Sequence, residues 1–275
     1  MPETVVGAGK TVSQALSDAT AVLTEAGCDT PRLDAELLLS FVLGVGRERL
    51  VVDAFAELDA GSAEQFAAVV ARRQAREPVA YIVGRKAFRR ISLTVDRRVL
   101  IPRPETELLV EVALSLDRGA RVADVGTGSG AVALALKEER PDLSVVGVDV
   151  SDDALAVARS NGAALGLDVE FVHADLLEGV TGPFDAVLSN LPYVAEGSAL
   201  PPEIELYEPG LALFGGPDGM DPVRRLLPMV AGVPLLALEV GLAEAVAGLV
   251  AAAGFEDVEI LRDLASHERV VVGRR

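Results

Sequence analysis

Between Val122 and Ala131 the chain reads Val-Ala-Asp-Val-Gly-Thr-Gly-Ser-Gly-Ala, with Gly126, Gly128 and Gly130 at alternate positions. The apolar residues that open this run predict a strand and those after it a helix, so the glycines fall in the turn between them. With no side chains there, a ligand can approach the backbone at a helix start. The G-x-G-x-G spacing meets neither the dinucleotide fingerprint, G-x-G-x-x-G, nor the phosphate loop, G-x-x-x-x-G-K-[ST]. Asp124, just ahead of the turn, offers an acceptor for the ammonium of an amino-acid cofactor, a group that a pyrophosphate lacks. The next strand ends Val146-Gly-Val-Asp149, about 20 residues on, where an acid commonly binds the two hydroxyls of an adenosine ribose. After the third strand, Asp175 can receive an adenine amino group and Leu176 can pack near its ring. Singly, Asp149 and Asp175 would read as helix-capping acids. In strand-by-strand order they point to S-adenosylmethionine, with Asp124, Gly126, Thr127, Gly128, Ser129, Gly130, Asp149, Asp175, Leu176 and Asn190 as its expected contacts.

The fourth strand runs into Ser189-Asn-Leu-Pro-Tyr193, at the carboxyl edge where open α/β sheets bind their ligands. An amide nitrogen is a poor nucleophile because its lone pair is delocalised, so a catalyst must hold its two N–H groups and aim it at the methyl donor. Asn190 Oδ1 can accept one proton and the Leu191 carbonyl the other. Pro192 biases Leu191 towards an extended backbone and so aims that carbonyl. Tyr193 can stack on a flat acceptor. Asn190, Leu191, Pro192 and Tyr193 are therefore the expected catalytic residues, acting by positioning more than by proton abstraction. Alone the tetrapeptide reads as a β-turn; one strand after a cofactor constellation it reads as an acceptor site.

Two regions of different periodicity carry these residues. Residues 1–76 are predicted to be a helical domain, with Leu16, Leu23 and Ala26 on one stretch and Leu33, Leu37 and Phe41 on the next. Thr30-Pro31 fits a helix start with an N-cap, and Ser62-Ala-Glu-Gln65 fits a capping box. Residues 77–100 are predicted to be a β-hairpin linker, from the runs Tyr81-Ile-Val and Ile91-Ser-Leu-Thr-Val95. Residues 101–275 alternate strand and helix patterns, which predicts an α/β fold with a mostly parallel sheet. Its strands are Arg121–Val125, Val145–Val148, Val169–Val172, Ala186–Ser189, Leu235–Val240, Val258–Leu261 and Val270–Val272.

The net charge of -17 disfavours a phosphate backbone as partner. The basic residues nonetheless crowd one segment, from Arg72, Arg73 and Arg76 through Arg85, Lys86, Arg89, Arg90, Arg97 and Arg98 to Arg103. That segment is either a docking surface or a set of solvated faces. A single cysteine, Cys28, excludes an intramolecular disulfide and a thiolate cluster, and the two histidines, His173 and His267, lie far apart, so no metal site is expected. The opening Met-Pro-Glu-Thr-Val-Val-Gly does not read as a secretory signal, and no apolar run reaches the ~18 residues of a membrane span. A cytoplasmic location and a monomer are expected.

Over nearly its full length the chain resembles the bacterial peptide chain release factor glutamine methyltransferases. The resemblance is carried by Glu77-Pro-Val-Ala-Tyr81 with Gly84 and Phe88, Ile101-Pro-Arg-Pro-Glu-Thr-Glu107, Val125-Gly-Thr-Gly-Ser-Gly130, the acceptor tetrapeptide, Gly215-Gly-Pro-Asp-Gly219 and Arg269-Val-Val-Val-Gly273. It implies a small helical substrate-recognition domain, a hairpin, and a seven-stranded Rossmann-like methyltransferase domain. The implied reaction is transfer of a methyl group from S-adenosylmethionine to the amide of the glutamine in a Gly-Gly-Gln loop of release factors. One position departs. The family usually has Asn-Pro-Pro-Tyr, and Asn-Leu-Pro-Tyr looks instead like the ribosomal RNA adenine dimethyltransferases. A nucleic-acid adenine methyltransferase and a non-catalytic cofactor-binding partner are thus the two alternatives.

Overall fold

A computed structural model of the chain describes residues 9–275, so the opening segment read for a secretory signal lies outside the described residues. In chain order the helices and strands are α1 Val12–Glu25, α2 Pro31–Leu43, α3 Arg47–Val52, α4 Ala60–Gln74, α5 Val79–Val83, β1 Arg85–Phe88, β2 Ile91–Thr94, α6 Glu107–Ala113, β3 Arg121–Val125, α7 Ala131–Glu139 and β4 Ser144–Asp149. There follow α8 Asp152–Leu165, β5 Glu170–His173, β6 Ala186–Asn190, α9 Pro202–Glu205, α10 Asp221–Leu226, β7 Leu235–Glu239, α11 Ala243–Ala252, β8 Asp257–Arg262 and β9 Glu268–Arg274. They form two compact units, one ending at Gly84 and including Pro201–Tyr207, the other comprising Arg85–Leu200 and Glu208–Arg275.

The first unit is helical. Apolar residues at helical spacing on α1, α2 and α4, among them Leu16, Leu23, Leu38, Leu39 and Phe66, meet in one core that also encloses Cys28. Thr11 starts α1 with a capping box, its hydroxyl accepting from Gln14 N while the Gln14 side chain accepts from Thr11 N. Thr30 makes no backbone cap at α2; its hydroxyl donates to Asp34 Oδ1 at 2.8 Å instead. The cap of α4 is Asp59, whose Oδ1 accepts from Ser62 N at 2.9 Å, so Ser62 lies inside the helix rather than at its start. An aspartate ahead of Ala60-Gly61 is a stronger backbone acceptor than the serine three positions later. Tyr81–Val83, expected as strand, is helical within α5. Pro78 leaves that helix without a donor at its N-cap, and Tyr81 and Ile82 are buried from it. Arg73 and Asp34 pair inside this unit at 2.7 Å, both side chains 7% exposed, and Arg73 and Arg76 both reach Glu203 on α9.

The second unit is built on a seven-stranded sheet in the order β5-β4-β3-β6-β7-β9-β8. The first five in that order run parallel and β9 is antiparallel to both β7 and β8. The strands fall where alternating apolar runs predict them. β3 and the helix after it bury nearly every side chain: Val122, Ala123, Ala133, Leu134 and Leu136 are fully enclosed, as expected for a parallel sheet covered on both faces. The chain goes out from β3 to β4 and β5, then returns to β6 on the other side of β3. That reversal opens a crevice at the carboxyl ends of β3 and β6, where such folds place their ligands. The β1–β2 hairpin is tied into the same unit by Asn161 of α8, which accepts from Thr94 N at 2.8 Å and donates to Thr94 O and to Ser129 O.

Candidate functional site

Residues from the ends of β3, β4, β5 and β6 meet around one cavity of about 340 Å³, within the size range of small-molecule sites, about 300–1,000 Å³. Its walls include Gly126 and Gly128 after β3, Asp149 at the end of β4, Asp175 and Leu176 after β5, and Asn190, Leu191 and Pro192 after β6. Ser189, fully buried, donates to Val125 O at 2.6 Å. This bond fastens the last residues of β3 and β6 together, so the glycine turn and the tetrapeptide start from one fixed point.

Asp149 faces the glycine turn. Its Oδ2 accepts from Gly128 N at 2.9 Å and its Oδ1 from Ser151 N at 2.9 Å. Burial raises its pKa and those backbone donors oppose the rise. Each oxygen keeps a lone pair for a further donor. Gly128 has φ +55, and a Cβ placed there would meet only Gly126 O at 4.0 Å. The backbone turn needs glycine and the space above it is free of protein, which is the geometry of a turn that a ligand overlies. Asp149, Gly128 and the walls around them fit a nucleoside with vicinal hydroxyls. Asp175 sits at the rim, its Oδ2 accepting from Arg225 at 2.7 Å.

Other expected contacts lie elsewhere. Asp124 is 2% exposed and does not line the cavity. Its Oδ2 accepts from the Thr127 hydroxyl at 2.6 Å and from Ala133 N at 3.1 Å, so it braces the turn from beneath and caps the first turn of α7. Burial pushes its pKa up to about 6. Thr127 and Ser129 are buried under the turn as well. Gly130 is set by packing, since a Cβ there would come 2.9 Å from Leu134 Cδ1.

In the tetrapeptide, Asn190 Nδ2 donates to Thr106 Oγ1 at 3.2 Å. This leaves Oδ1 of Asn190 as the free acceptor. Leu191 is 5% exposed and packs its side chain into the core beside the cavity. Tyr193 lies against Gly241, where a Cβ would sit 3.0 Å from Tyr193 Cδ2. Burial, and next the Glu239 carboxylate, push the Tyr193 phenol above its ordinary range, so it stays neutral.

Three features here carried no role in the sequence reading. Thr106 belongs to the Ile-Pro-Arg-Pro-Glu-Thr-Glu run, which marked a resemblance without naming a task. Glu239 stands beside Asn190 in the β6–β7 register and is 2% exposed; its signal is an acid within the apolar run Leu235-Leu-Ala-Leu-Glu-Val240. Gly215 and Gly219 let a loop press on the tetrapeptide: a Cβ at Gly215 would fall 2.3 Å from Pro192 O, and one at Gly219 2.2 Å from Tyr193 O.

The basic segment is largely neutralised within the molecule. Arg72 pairs with Glu77, Arg73 with Asp34 and Glu203, and Arg76 with Glu203 in the first unit. In the second, Arg89 pairs with Glu139 and Glu111, Arg98 with Asp96, and Arg103 with Glu208. Glu77 and Asp96 lie within the segment, but Asp34, Glu111, Glu139, Glu203 and Glu208 come from elsewhere in the chain, which is why the segment looked unbalanced when read locally. The segment therefore carries less uncompensated charge than its composition suggests.

Residues 14–84 match the family described as PrmC N-terminal domain, and residues 104–203 match the methyltransferase small domain. A release factor glutamine methyltransferase of Caulobacter vibrioides is 42% identical over 268 residues, covering 91% of this chain and 92% of the relative. One from Deinococcus radiodurans is 40% identical, covering 94% of this chain and 97% of the relative. Among solved structures, a methyltransferase from Pyrococcus furiosus shares the fold with a TM-score of 0.51 at 18% identity, over 66% of this chain and 87% of that one. With identity of this level along nearly the whole of both sequences, the chain belongs to the release factor glutamine methyltransferases.

Proposed function

We propose that this protein transfers the methyl group of S-adenosylmethionine to the side-chain amide nitrogen, N5, of the glutamine in the Gly-Gly-Gln loop of peptide chain release factors, and thereby modulates translation termination. The observation that carries the reading is the orientation of Asn190. Its Nδ2 is occupied by Thr106, so Oδ1 is left to accept, in the wall of the same cavity as Gly126, Gly128 and Asp149. An acceptor bearing two N–H groups suits that oxygen together with the Leu191 carbonyl.

Gly126, Gly128, Asp149, Asp175 and Leu176 would hold S-adenosylmethionine, with Asp149 on the ribose hydroxyls. Bound there, the cofactor supplies an electrophilic methyl group on a sulfonium. Asn190 and Leu191 hold the amide nitrogen by its protons, Pro192 keeps the Leu191 carbonyl aimed, and Tyr193 offers its neutral ring to the flat amide. Asp124, Thr127, Ser129 and Gly130 keep the turn in shape from below. Leucine in place of the family's usual proline preserves the carbonyl and fills a buried position.

We assign substrate recognition to the helical domain, residues 1–76, joined through residues 77–100 to the catalytic domain, residues 101–275. The relatives are named for release factors, and the charge of -17 favours a protein over a nucleic-acid acceptor. No helix among the described residues is long and apolar enough to cross a membrane; we place the protein in the cytoplasm, as a monomer. The test is transfer of a labelled methyl group to purified release factor, to the same factor with its Gly-Gly-Gln glutamine replaced, and to RNA and DNA. Label is expected on the first alone, and label on RNA or DNA but not on release factor would overturn the reading.

A further inference from the structure

Glu239 ends β7 directly beside Asn190 on β6. It is 2% exposed, and neither of its carboxylate oxygens has a partner in good hydrogen-bond geometry among the described residues. A buried carboxylate without a donor is costly, so its position at the edge of the acceptor site calls for an explanation. The Thr106 hydroxyl stands close enough to draw its pKa down, and that same hydroxyl is what accepts from Asn190 Nδ2. The three side chains are therefore in series, with Thr106 in the middle.

We propose that Glu239 is a positioning residue that sets, through the Thr106 hydroxyl, which end of the Asn190 amide meets the acceptor. This proposal rests on the reading of Asn190 as the acceptor-holding residue. An ionised Glu239 can only accept. Thr106 then turns its hydrogen towards Glu239 and presents lone pairs to Asn190, which satisfies them with Nδ2 and leaves Oδ1 for the acceptor's N–H. A protonated Glu239 reverses the sense. Its O–H donates to Thr106, the Thr106 hydrogen turns to Asn190, and the amide is stable with Oδ1 on Thr106 and Nδ2 facing the acceptor. Two donors then oppose each other and the nitrogen is not held. No bond to carbon forms or breaks in this device; one proton on Glu239 selects between two hydrogen-bond directions.

The groups facing Glu239 are Asn190 from β6, Thr106 and Glu105 from the turn before α6, Arg103 ahead of it, Arg269 from β9, and Tyr193. Burial is the largest influence and Glu105 adds to it, while Thr106, Arg269 and Arg103 oppose, leaving the group pushed up to about 7. The switch thus operates near neutrality, with the productive orientation on the alkaline side.

Two measurements test this. In the free protein, the side-chain NH₂ resonances of Asn190, assigned by their loss in N190D, should move with a midpoint near 7, and in E239Q they should not move. Steady-state methylation of intact release factor at saturating substrates should give a kcat that falls below that same midpoint. E239Q and T106V should each lower kcat about tenfold, the effect of losing one ordinary hydrogen bond's preference, and each should abolish the acid limb. T106S, which keeps the hydroxyl, should retain the limb. The double variant should lose no more than either single one, because the residues act as one unit. Asn190 resonances that stay still, or that move equally in E239Q, overturn the relay whatever the acceptor is. So does a loss confined to E239Q with T106V normal, which would mean that Glu239 acts directly. Failure of the wild type to label release factor would instead overturn the acceptor assignment, and the resonance measurement would still decide the relay.

Discussion

Glu239 exchanges hydration for burial without gaining a well-formed hydrogen bond, and this has a consequence for stability that can be read apart from activity. Its pKa of about 7 in the folded protein lies above its ordinary 4.5. Between those values the folded state holds a proton that the unfolded state has released, so stability falls as pH rises through that window. The full penalty, about 3 kcal/mol from the size of the rise, is present only above it. E239Q should therefore raise the thermal midpoint at pH 8 and have little effect at pH 4; an equal change at both values would show that charge burial is not the cause. Asp124, raised from 3.8 to about 6, adds the same sign of dependence at lower pH. Asn190 makes a different prediction. N190A should leave cofactor affinity within about twofold while lowering kcat by a hundredfold or more, since positioning an acceptor is worth factors of this order. Calorimetry with S-adenosylmethionine and single-turnover methylation separate the two effects, and near-normal turnover would remove Asn190 from the mechanism.

Elements hold these residues in place through contacts that a local reading of the chain reaches only in part. The strands were legible because parallel strands covered on both faces are short apolar runs bounded by turn residues, as at Arg121–Val125 and Ala186–Asn190. Their order in the sheet, β5-β4-β3-β6-β7-β9-β8, was not legible, because pairing depends on where each crossover returns. Capping was less legible, because Asp59 and Ser62 both suit an N-cap and three-dimensional entry of the chain chooses between them. Tyr81-Ile-Val is rich in strand formers, yet it is wound into a helix whose buried side chains complete the first unit's core, a tertiary override of local preference. The bracing role of Asp124 depends on the path of the turn, which curls Thr127 and Ala133 N back onto its carboxylate, and the partners of Arg73, Arg76, Arg89 and Arg103 lie far along the chain. The loop at Gly215–Gly219 likewise meets the tetrapeptide from further along the chain. Gly215 N donates to Val194 O and Val194 N to Leu213 O, both at 2.9 Å, which clamps the exit of the tetrapeptide. Gly219 has φ +76 and its α-carbon faces Tyr193 O. G219A should thus strain the backbone by about 1–3 kcal/mol and push Tyr193 out of line, reducing kcat roughly tenfold or more. Cofactor affinity should hold, because the glycine turn after β3 is untouched. A G219A enzyme with weakened cofactor binding and normal kcat would show that the loop serves the cofactor side instead.

At the scale of the whole molecule, a chain of net charge -17 has its arginines largely engaged with its own acids, so long-range attraction by a basic patch does not explain how a protein substrate would be gripped. The helical unit presents a different surface. Val51 is 78% exposed, Val52 72% and Phe55 90%, three large apolar side chains within five positions at the end of α3. Apolar clusters of this kind at the surface mark contact sites, and a large aromatic among them is the usual anchor. If the helical domain recognises the release factor, F55D should raise KM for the intact factor by roughly tenfold, about 1.4 kcal/mol, and leave kcat and cofactor affinity unchanged. A short Gly-Gly-Gln peptide, which engages only the acceptor site, should be methylated equally by both proteins. Salt distinguishes the apolar surface from an electrostatic one: exposed charges are screened over about 10 Å at 0.1 M ionic strength, so a contact through Phe55 should keep its KM as salt is raised. A KM that climbs steeply with salt in the wild type, with F55D indistinguishable from it, would return recognition to the charged residues and remove the helical domain's apolar surface from the account.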